Sequence, residues 1–198
     1  ISILNNGGIG MRIAVAQLSS GPDKALNAAK AVDYVKRAKA QGADMIILPE
    51  IYMVYNPPAA NVKKAAVAET LDGDFVSALT AVARENSIYV VGGMYETKEG
   101  DDVRAYNTTV VIDRAGKIIS VYRKTHLYDA FISKESDSIV AGDELPPIIE
   151  TEFGKIGLLV CYEVRFPEIS RRLALAGAEI IIMPTAWVVG GVKEEHFE

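Results

Sequence analysis

Short apolar runs alternate with amphipathic stretches along this chain. Runs of strand length cover residues 12–17, 44–48, 88–95, 155–160 and 179–183. Apolar side chains at spacings of three and four predict helices at about residues 24–41, 74–85 and 167–176. Gly42 and Gly177 follow the first and last of these helices, where glycine provides a left-handed cap. This pattern is typical of an α/β protein in which helices cover buried strands.

The chain contains an internal repeat. Residues 41–49 (QGADMIILP) match residues 176–184 (AGAEIIIMP) in chemical character at nearly every position. Each copy joins a helix to a strand, so we expect two related βαβ halves. Between them, residues 108–112 and 117–122 are predicted to form a hairpin across a turn at 113–116. A four-layer α-β-β-α sandwich of two facing sheets fits this pattern, and a single doubly wound sheet is the alternative.

The composition excludes several classes of protein. The chain has 198 residues, of which 49% are hydrophobic and 24% charged, as in a soluble globular domain. Its net charge of -5 argues against nucleic acid as the main partner, because phosphate backbones require a basic surface. Small molecules are the expected partners. The single cysteine excludes an intramolecular disulfide, and the two histidines form no cluster with zinc-ligand spacing.

The sequence carries no signal for a membrane or for secretion. Its longest apolar stretches, such as residues 180–183, fall far below the ~20 residues of a spanning helix. Residues 1–10 lack the basic and apolar regions of a secretory signal, and we expect them to be a leader or an upstream extension. We expect residues 11–198 to form a single domain in the cytoplasm.

Cys161 stands where the apolar run 156–160 ends, before a turn into a helix. Such a strand end exposes one side chain, together with the N–H groups of the turn, to a crevice. This position favours a nucleophile. The alternative is a structural thiol, because free cysteine often behaves as a small buried hydrophobe.

Two charged residues are candidates to act with this thiol. Glu50 also follows a strand, and the two halves can bring it to the same cleft, where it would accept the thiol proton. Lys124 follows the hairpin, where an ammonium favours thiolate or stabilises an oxyanion. The alternatives are a solvated acid at a strand end and a basic edge strand that resists aggregation. His126 is a rival base, although a turn after Lys124 would give it a supporting role.

Three motifs resemble those of the nitrilase superfamily of carbon-nitrogen hydrolases. They are residues 48–50 (LPE), 122–127 (YRKTHL) and 157–168 (GLLVCYEVRFPE). Their order and spacing are similar to the family's, and the resemblance covers nearly all of residues 11–198. It implies Cys161 as the nucleophile, Glu50 as general base and acid, and Lys124 as the cation that stabilises the oxyanion.

The resemblance also implies supporting groups and a reaction. Glu135 stands where similar enzymes keep a second glutamate that orients the substrate. The backbone N–H of Tyr162 would join Lys124 in holding the oxyanion. The implied reaction is hydrolysis of a small amide through a cysteine thioester, which needs no metal or organic cofactor. The resemblance further implies a homodimer or a higher homo-oligomer.

Residues 165–168 (RFPE) look most like the amidase branch that acts on ω-amides of dicarboxylates. Arg165 would bind a substrate carboxylate, or pair with Glu168 at the start of the helix. Hydrolysis of nitriles or N-carbamoyl amides is an alternative within the superfamily. A noncatalytic redox-sensing or binding module that uses Cys161 is an alternative of another class. Similar proteins continue beyond the length seen here, so we expect the C-terminal part of the family domain to be missing.

Overall fold

The computed structural model describes residues 2–5, 10–130 and 133–187. The strands in these ranges are β1 (Ser2–Asn5), β2 (Arg12–Val15), β3 (Met45–Ile47), β4 (Tyr89–Thr97), β5 (Ala105–Ile112), β6 (Ile118–Arg123), β7 (Asp129–Ala130), β8 (Ser133–Lys134), β9 (Ile139–Val140), β10 (Ile148–Thr151), β11 (Gly154–Leu158) and β12 (Ile180–Ile182). The α-helices are α1 (Lys24–Ala40), α2 (Lys64–Val67), α3 (Asp74–Asn86) and α4 (Pro167–Leu175). Short 3-10 helices cover Pro58–Ala60, Glu135–Asp137 and Cys161–Arg165.

The strands form two main sheets. In the larger sheet the order is β1-β2-β3-β4-β5-β6, and β9 pairs with β5. Strands β2, β3 and β4 run parallel, whereas β5 and β6 form the predicted antiparallel hairpin. In the smaller sheet, β11 lies between antiparallel β10 and parallel β12. Strands β7 and β8 form a separate two-stranded ribbon.

Three groups of buried side chains define four layers. Between the sheets, apolar residues of both meet in one core, among them Ile13, Met45, Val91, Ile156, Leu158 and Ile182. On the outer face of the larger sheet, strand residues pack against α1 and α3, among them Ala14, Ile46, Val90, Val35 and Leu79. On the outer face of the smaller sheet, Leu159 packs with Ile169 and Leu173 of α4. This order confirms the predicted α-β-β-α sandwich over a single doubly wound sheet.

The two βαβ halves repeat in structure as well as in sequence. β2, α1 and β3 form the first unit, and β11, α4 and β12 form the second, each with a parallel strand pair. Each helix ends with an equivalent backbone hydrogen bond, from Gly42 N to Lys39 O (2.9 Å) in the first half and from Gly177 N to Ala174 O (3.0 Å) in the second. Each second strand begins with another, from Asp44 N to Arg12 O and from Glu179 N to Lys155 O (2.8 Å each). Gly42 and Gly177 have φ of 78° and 94°, a conformation that favours glycine. The repeat therefore fixes the same helix ending in both halves.

The first strand lies inside the stretch that was predicted to be a leader or extension. β1 pairs antiparallel with β2, so this segment joins the larger sheet. Residues 1 and 6–9 of that stretch lie outside the described residues, as do residues 188–198 at the other end. Among the helices of the described ranges, none combines the length and the apolar character needed to cross a bilayer.

Candidate active site

Glu50 lies in a tight turn three residues after the end of β3. The next residue, Ile51, has a φ of 45°, which is strained for a β-branched side chain. Gly93 of β4 lies beneath this turn, and a Cβ at Gly93 would clash with the backbone nitrogen of Ile51. The close packing of turn against strand leaves Glu50 only 5% exposed.

Three donors hold the Glu50 carboxylate. Oε1 accepts from Nδ2 of Asn107 at 2.8 Å and from Nζ of Lys124 at 3.0 Å. Oε2 accepts from the backbone N–H of Ala186 at 2.8 Å. The carboxylate is thus fixed from two sides by the larger sheet and by the segment that follows β12.

Lys124 is the buried cation of the site. It follows β6 directly, is 2% exposed, and donates its backbone N–H to the carbonyl of Asn107 at 2.9 Å. Its Nζ donates to Oε1 of Glu50 and to Oε2 of Glu135, at 3.0 Å each. Burial acts to lower the pKa of Lys124, but the carboxylates of Glu50 and Glu135 raise it and prevail. Lys124 therefore stays charged at neutral pH.

Glu135 completes the charged cluster from the 3-10 helix Glu135–Asp137. Its Oε2 also accepts from the backbone N–H of Tyr128 at 2.6 Å. Its Oε1 accepts from Nδ2 of Asn107 at 3.1 Å, so one amide group bridges Glu50 and Glu135. The opposite orientation of the Asn107 amide would set its oxygen against two carboxylates, which fixes the assignment.

Cys161 begins the 3-10 helix that follows β11. It has a φ of 46°, and its backbone N–H donates to the carbonyl of Pro184 at 3.0 Å. Its thiol lies close enough to Glu50 and Lys124 for the charges of both to act on its pKa. Burial, and after it the charge of Glu50, raises the pKa of the Cys161 thiol well above its ordinary value, and Lys124 lowers it by less. The expected preference for thiolate beside Lys124 is therefore outweighed, and the resting thiol is protonated.

Tyr162 and Arg165 lie on the same 3-10 helix as Cys161. Tyr162 is its second residue, where a backbone N–H has no partner within the helix. Its ring meets Tyr128 and Phe166 edge-on, with centroid distances of 5.1 and 5.5 Å. Arg165 is exposed, and among the ion pairs of the described residues none joins it to Glu168.

His126 contacts Thr125, Glu163 and Phe166. Its Nδ1 lies 2.9 Å from Oγ1 of Thr125 and 3.6 Å from Oε1 of Glu163. Its ring packs on Phe166 at a centroid distance of 4.3 Å. The supporting or surface role expected for His126 stays a prediction, which His126→Ala would test by sparing much of the activity.

Sequence reasoning missed three residues of this cluster. Asn107 is a polar residue of a buried strand, and its 1% exposure signals that it bonds to other buried groups. Glu163 is fully buried two residues after Cys161, and its carboxylate accepts from the backbone N–H of Val160, the residue before the 3-10 helix. Ala186 acts through its backbone, for which the sequence has no signal.

The arrangement joins a thiol, a carboxylate and an ammonium in one cluster. Such a set can move a proton from sulfur to carboxylate and can stabilise a developing negative charge. Among the residues that the structure describes, no group of three His, Cys, Asp or Glu side chains could hold a metal ion.

Comparison with known proteins identifies relatives of this chain. The chain is 33% identical over 187 residues to the deaminated glutathione amidase of Escherichia coli O157:H7. The matched region covers 94% of this chain and 70% of that protein. It is 37% identical over 186 residues to the deaminated glutathione amidase of Rattus norvegicus, which covers 88% of this chain. The chain spans 55% of the length of that rat protein.

A solved structure shares the fold. It is a glutamate-to-glutamine variant of the amidase from Nesterenkonia sp. AN1, with acrylamide added at its active-site cysteine. The TM-score is 0.78 at 28% identity, over 93% of this chain and 70% of that one. The family model for carbon-nitrogen hydrolases matches residues 12–198. This chain belongs to the carbon-nitrogen hydrolase family, within the nitrilase superfamily.

Proposed function

We propose that this protein hydrolyses small amides through a thioester on Cys161 and releases ammonia and a carboxylate. One observation carries the proposal: Glu50, Lys124 and Cys161 come from distant stretches of sequence and lie in one cluster, with Glu50 and Lys124 buried and Cys161 partly exposed. Membership of the family and the amidase names of the relatives support it.

In the first step, Sγ of Cys161 attacks the carbonyl carbon while Glu50 accepts the thiol proton. A base within reach is required because burial keeps the thiol protonated. The C–S bond forms, and the carbonyl π electrons move to oxygen. Nζ of Lys124 and the N–H of Tyr162 would stabilise this oxyanion, and loss of one such donor typically costs ~3 kcal/mol in the barrier.

In the second step, Glu50 returns the proton to the amide nitrogen, and the C–N bond breaks to release ammonia. Glu50 then takes a proton from water as the water oxygen attacks the thioester. The oxyanion collapses, the C–S bond breaks, and the sulfur regains a proton from Glu50. The product leaves as a carboxylic acid, which loses its remaining proton to solvent and becomes the carboxylate. Because Asn107, Lys124 and Ala186 hold both oxygens of Glu50, one carboxylate position serves both half-reactions.

We propose an ω-amide of a dicarboxylate as the substrate class. The relatives in Escherichia coli O157:H7 and Rattus norvegicus are named deaminated glutathione amidases, which supports an amide in preference to a nitrile. Arg165 is exposed four residues after Cys161, so its guanidinium is available to a substrate carboxylate. Nitriles and N-carbamoyl amides stay as competing substrates within the superfamily.

The test is ammonia release from a panel of ω-amides, simple amides, nitriles and N-carbamoyl amino acids. Wild type should release ammonia fastest from ω-amides, and Cys161→Ala should release none. Arg165→Gln should raise KM for an ω-amide with a free carboxylate but not for its neutral methyl ester. Equal release from wild type and Cys161→Ala would contradict the proposal.

A redox-sensing role for Cys161 is the weaker candidate. Sensor cysteines are exposed and have a low pKa, whereas burial raises the pKa of this thiol. Intact-mass analysis separates the two functions. An acyl adduct on Cys161 after mixing with an amide supports hydrolysis, while an adduct formed only with peroxide supports sensing.

We also propose a cytoplasmic homo-oligomer in which residues 11–198 form the hydrolase domain. The family resemblance supports the oligomer, and light scattering after size-exclusion chromatography tests it. A monomer at micromolar concentration would contradict it.

A further inference from the structure

Glu163 is a fully buried carboxylate with no part in the proposed bond-making steps. It lies two residues after Cys161 in the same 3-10 helix and is 0% exposed. Its Oε2 accepts the backbone N–H of Val160 at 2.8 Å. One carboxylate oxygen is therefore tied to the turn that carries the thiol.

The other oxygen is tied to the segment that carries Lys124. Oε1 accepts from the hydroxyl of Tyr122 (2.6 Å), the N–H and hydroxyl of Thr125 (3.1 and 2.9 Å) and the N–H of His126 (3.3 Å). These donors lie on both sides of Lys124 in the chain. Glu163 thus joins the backbone before Cys161 to the backbone around Lys124, across the two sheets.

We propose that Glu163 is a positioning residue whose carboxylate sets the separation between the ammonium of Lys124 and the sulfur of Cys161. Its effect on turnover rests on the proposed amide hydrolysis. Its effect on the thiol does not, because Lys124 lowers the thiol pKa by its charge whatever the reaction is.

A carboxylate is the group that this position requires. All five of its partners donate, so each oxygen must accept. Glutamine would turn an NH₂ group toward a donor in either orientation, and aspartate is one methylene too short to reach both segments. Removal of the charge therefore releases at least one segment from the other.

The test compares Glu163→Gln with Tyr122→Phe, which removes one donor and keeps the ring. Glu150→Gln is the matched control, since Glu150 is a 77% exposed acid on β10. Two quantities are measured on the full chain. The first is kcat and KM for ammonia release, expressed per folded molecule. The second is the rate at which iodoacetamide alkylates Cys161, the single cysteine, measured by intact mass at a series of pH values.

For Glu163→Gln we expect kcat to fall about 100-fold with little change in KM, because a misplacement of about 1 Å costs that much. Alkylation should slow at each pH, because the ammonium no longer lies close to the sulfur. Tyr122→Phe should lower kcat and the alkylation rate by roughly tenfold each, because one hydrogen bond is lost. Glu150→Gln should match wild type.

Several outcomes would overturn the inference. One is a loss of stability in urea with unchanged kcat and unchanged alkylation per folded molecule, which is what a merely structural role gives. If Glu163→Gln does not fold, Tyr122→Phe decides, and wild-type behaviour in that variant overturns the inference. If wild type releases no ammonia from any substrate, the proposed function fails, and the alkylation comparison still decides the role of Glu163.

Discussion

Nζ of Lys124 lies 3.0 Å from Oε1 of Glu50, and the two side chains are 2% and 5% exposed. The attraction in a buried ion pair is largely offset by desolvation, but removal of one partner leaves an uncompensated charge. In this protein the same ammonium also lies 3.0 Å from Oε2 of Glu135. Lys124 therefore compensates two carboxylates at once, one buried and one partly buried.

Replacement of this cation should destabilise the fold. We expect Lys124→Met to lower the free energy of unfolding by about 3–5 kcal/mol, because Glu50 and Glu135 would face each other without a cation. Urea denaturation measures the change. Lys117→Met, at an exposed position beside the hairpin turn, should stay within about 0.5 kcal/mol of wild type. A Lys124→Met protein as stable as wild type would show that the carboxylates are not charged together.

Asn107→Asp should give a pH-dependent loss of stability. The new carboxyl lies beside Glu50 and Glu135, so like charges would raise its pKa above the ordinary value of about 3.9. A raised pKa in the folded state lowers the free energy of unfolding relative to wild type. This deficit is small at pH values below the ordinary pKa, and it grows as pH rises through the raised pKa. At pH 7 we expect a deficit of about 3 kcal/mol in urea unfolding.

The exposed Asn61 provides the control for that variant. Asn61→Asp should show no such growth of the deficit with pH. A difference in free energy of unfolding between Asn107→Asp and wild type that stays constant across the pH range would contradict the close approach of residue 107 to Glu50 and Glu135.

The reactivity of Cys161 should rise with pH beyond the ordinary thiol range. Burial raises the pKa of this thiol, so alkylation by iodoacetamide should be slow at neutral pH and should still be increasing above the ordinary value of about 8.5. The same protein in urea provides the control, with a midpoint near the ordinary value. A plateau near neutral pH in the folded protein would contradict the protonated resting thiol.

Ala186→Pro should impair turnover through the loss of a backbone donor. Proline has no N–H, so Oε2 of Glu50 would lose its 2.8 Å hydrogen bond and the carboxylate would gain freedom. We expect ammonia release to fall roughly tenfold to 100-fold. Ala186→Ser keeps the N–H at an exposed position and should retain near wild-type activity. Equal rates in the two variants would remove Ala186 from the site.

The sandwich could be predicted because the sequence patterns that indicate it are local. The periods of apolar residues decide which segments are helices and which are strands, and the repeat at 41–49 and 176–184 predicts two equivalent units. The strands β9 and β10 were not predicted, since two or four residues carry too little periodicity to stand out.

The sequence by itself determined the main helices and strands, the two halves and the strand-end positions of Glu50 and Cys161, because these depend on neighbours along the chain. Only the tertiary structure decided which groups surround them. Asn107 reaches Glu50 because β5 lies beside β4, and the Ala186 N–H reaches it because the halves face each other. The protonation of the Cys161 thiol was decided in the same way, because burial depends on the packing of both sheets, and that packing outweighs the one cation that the motifs place nearby.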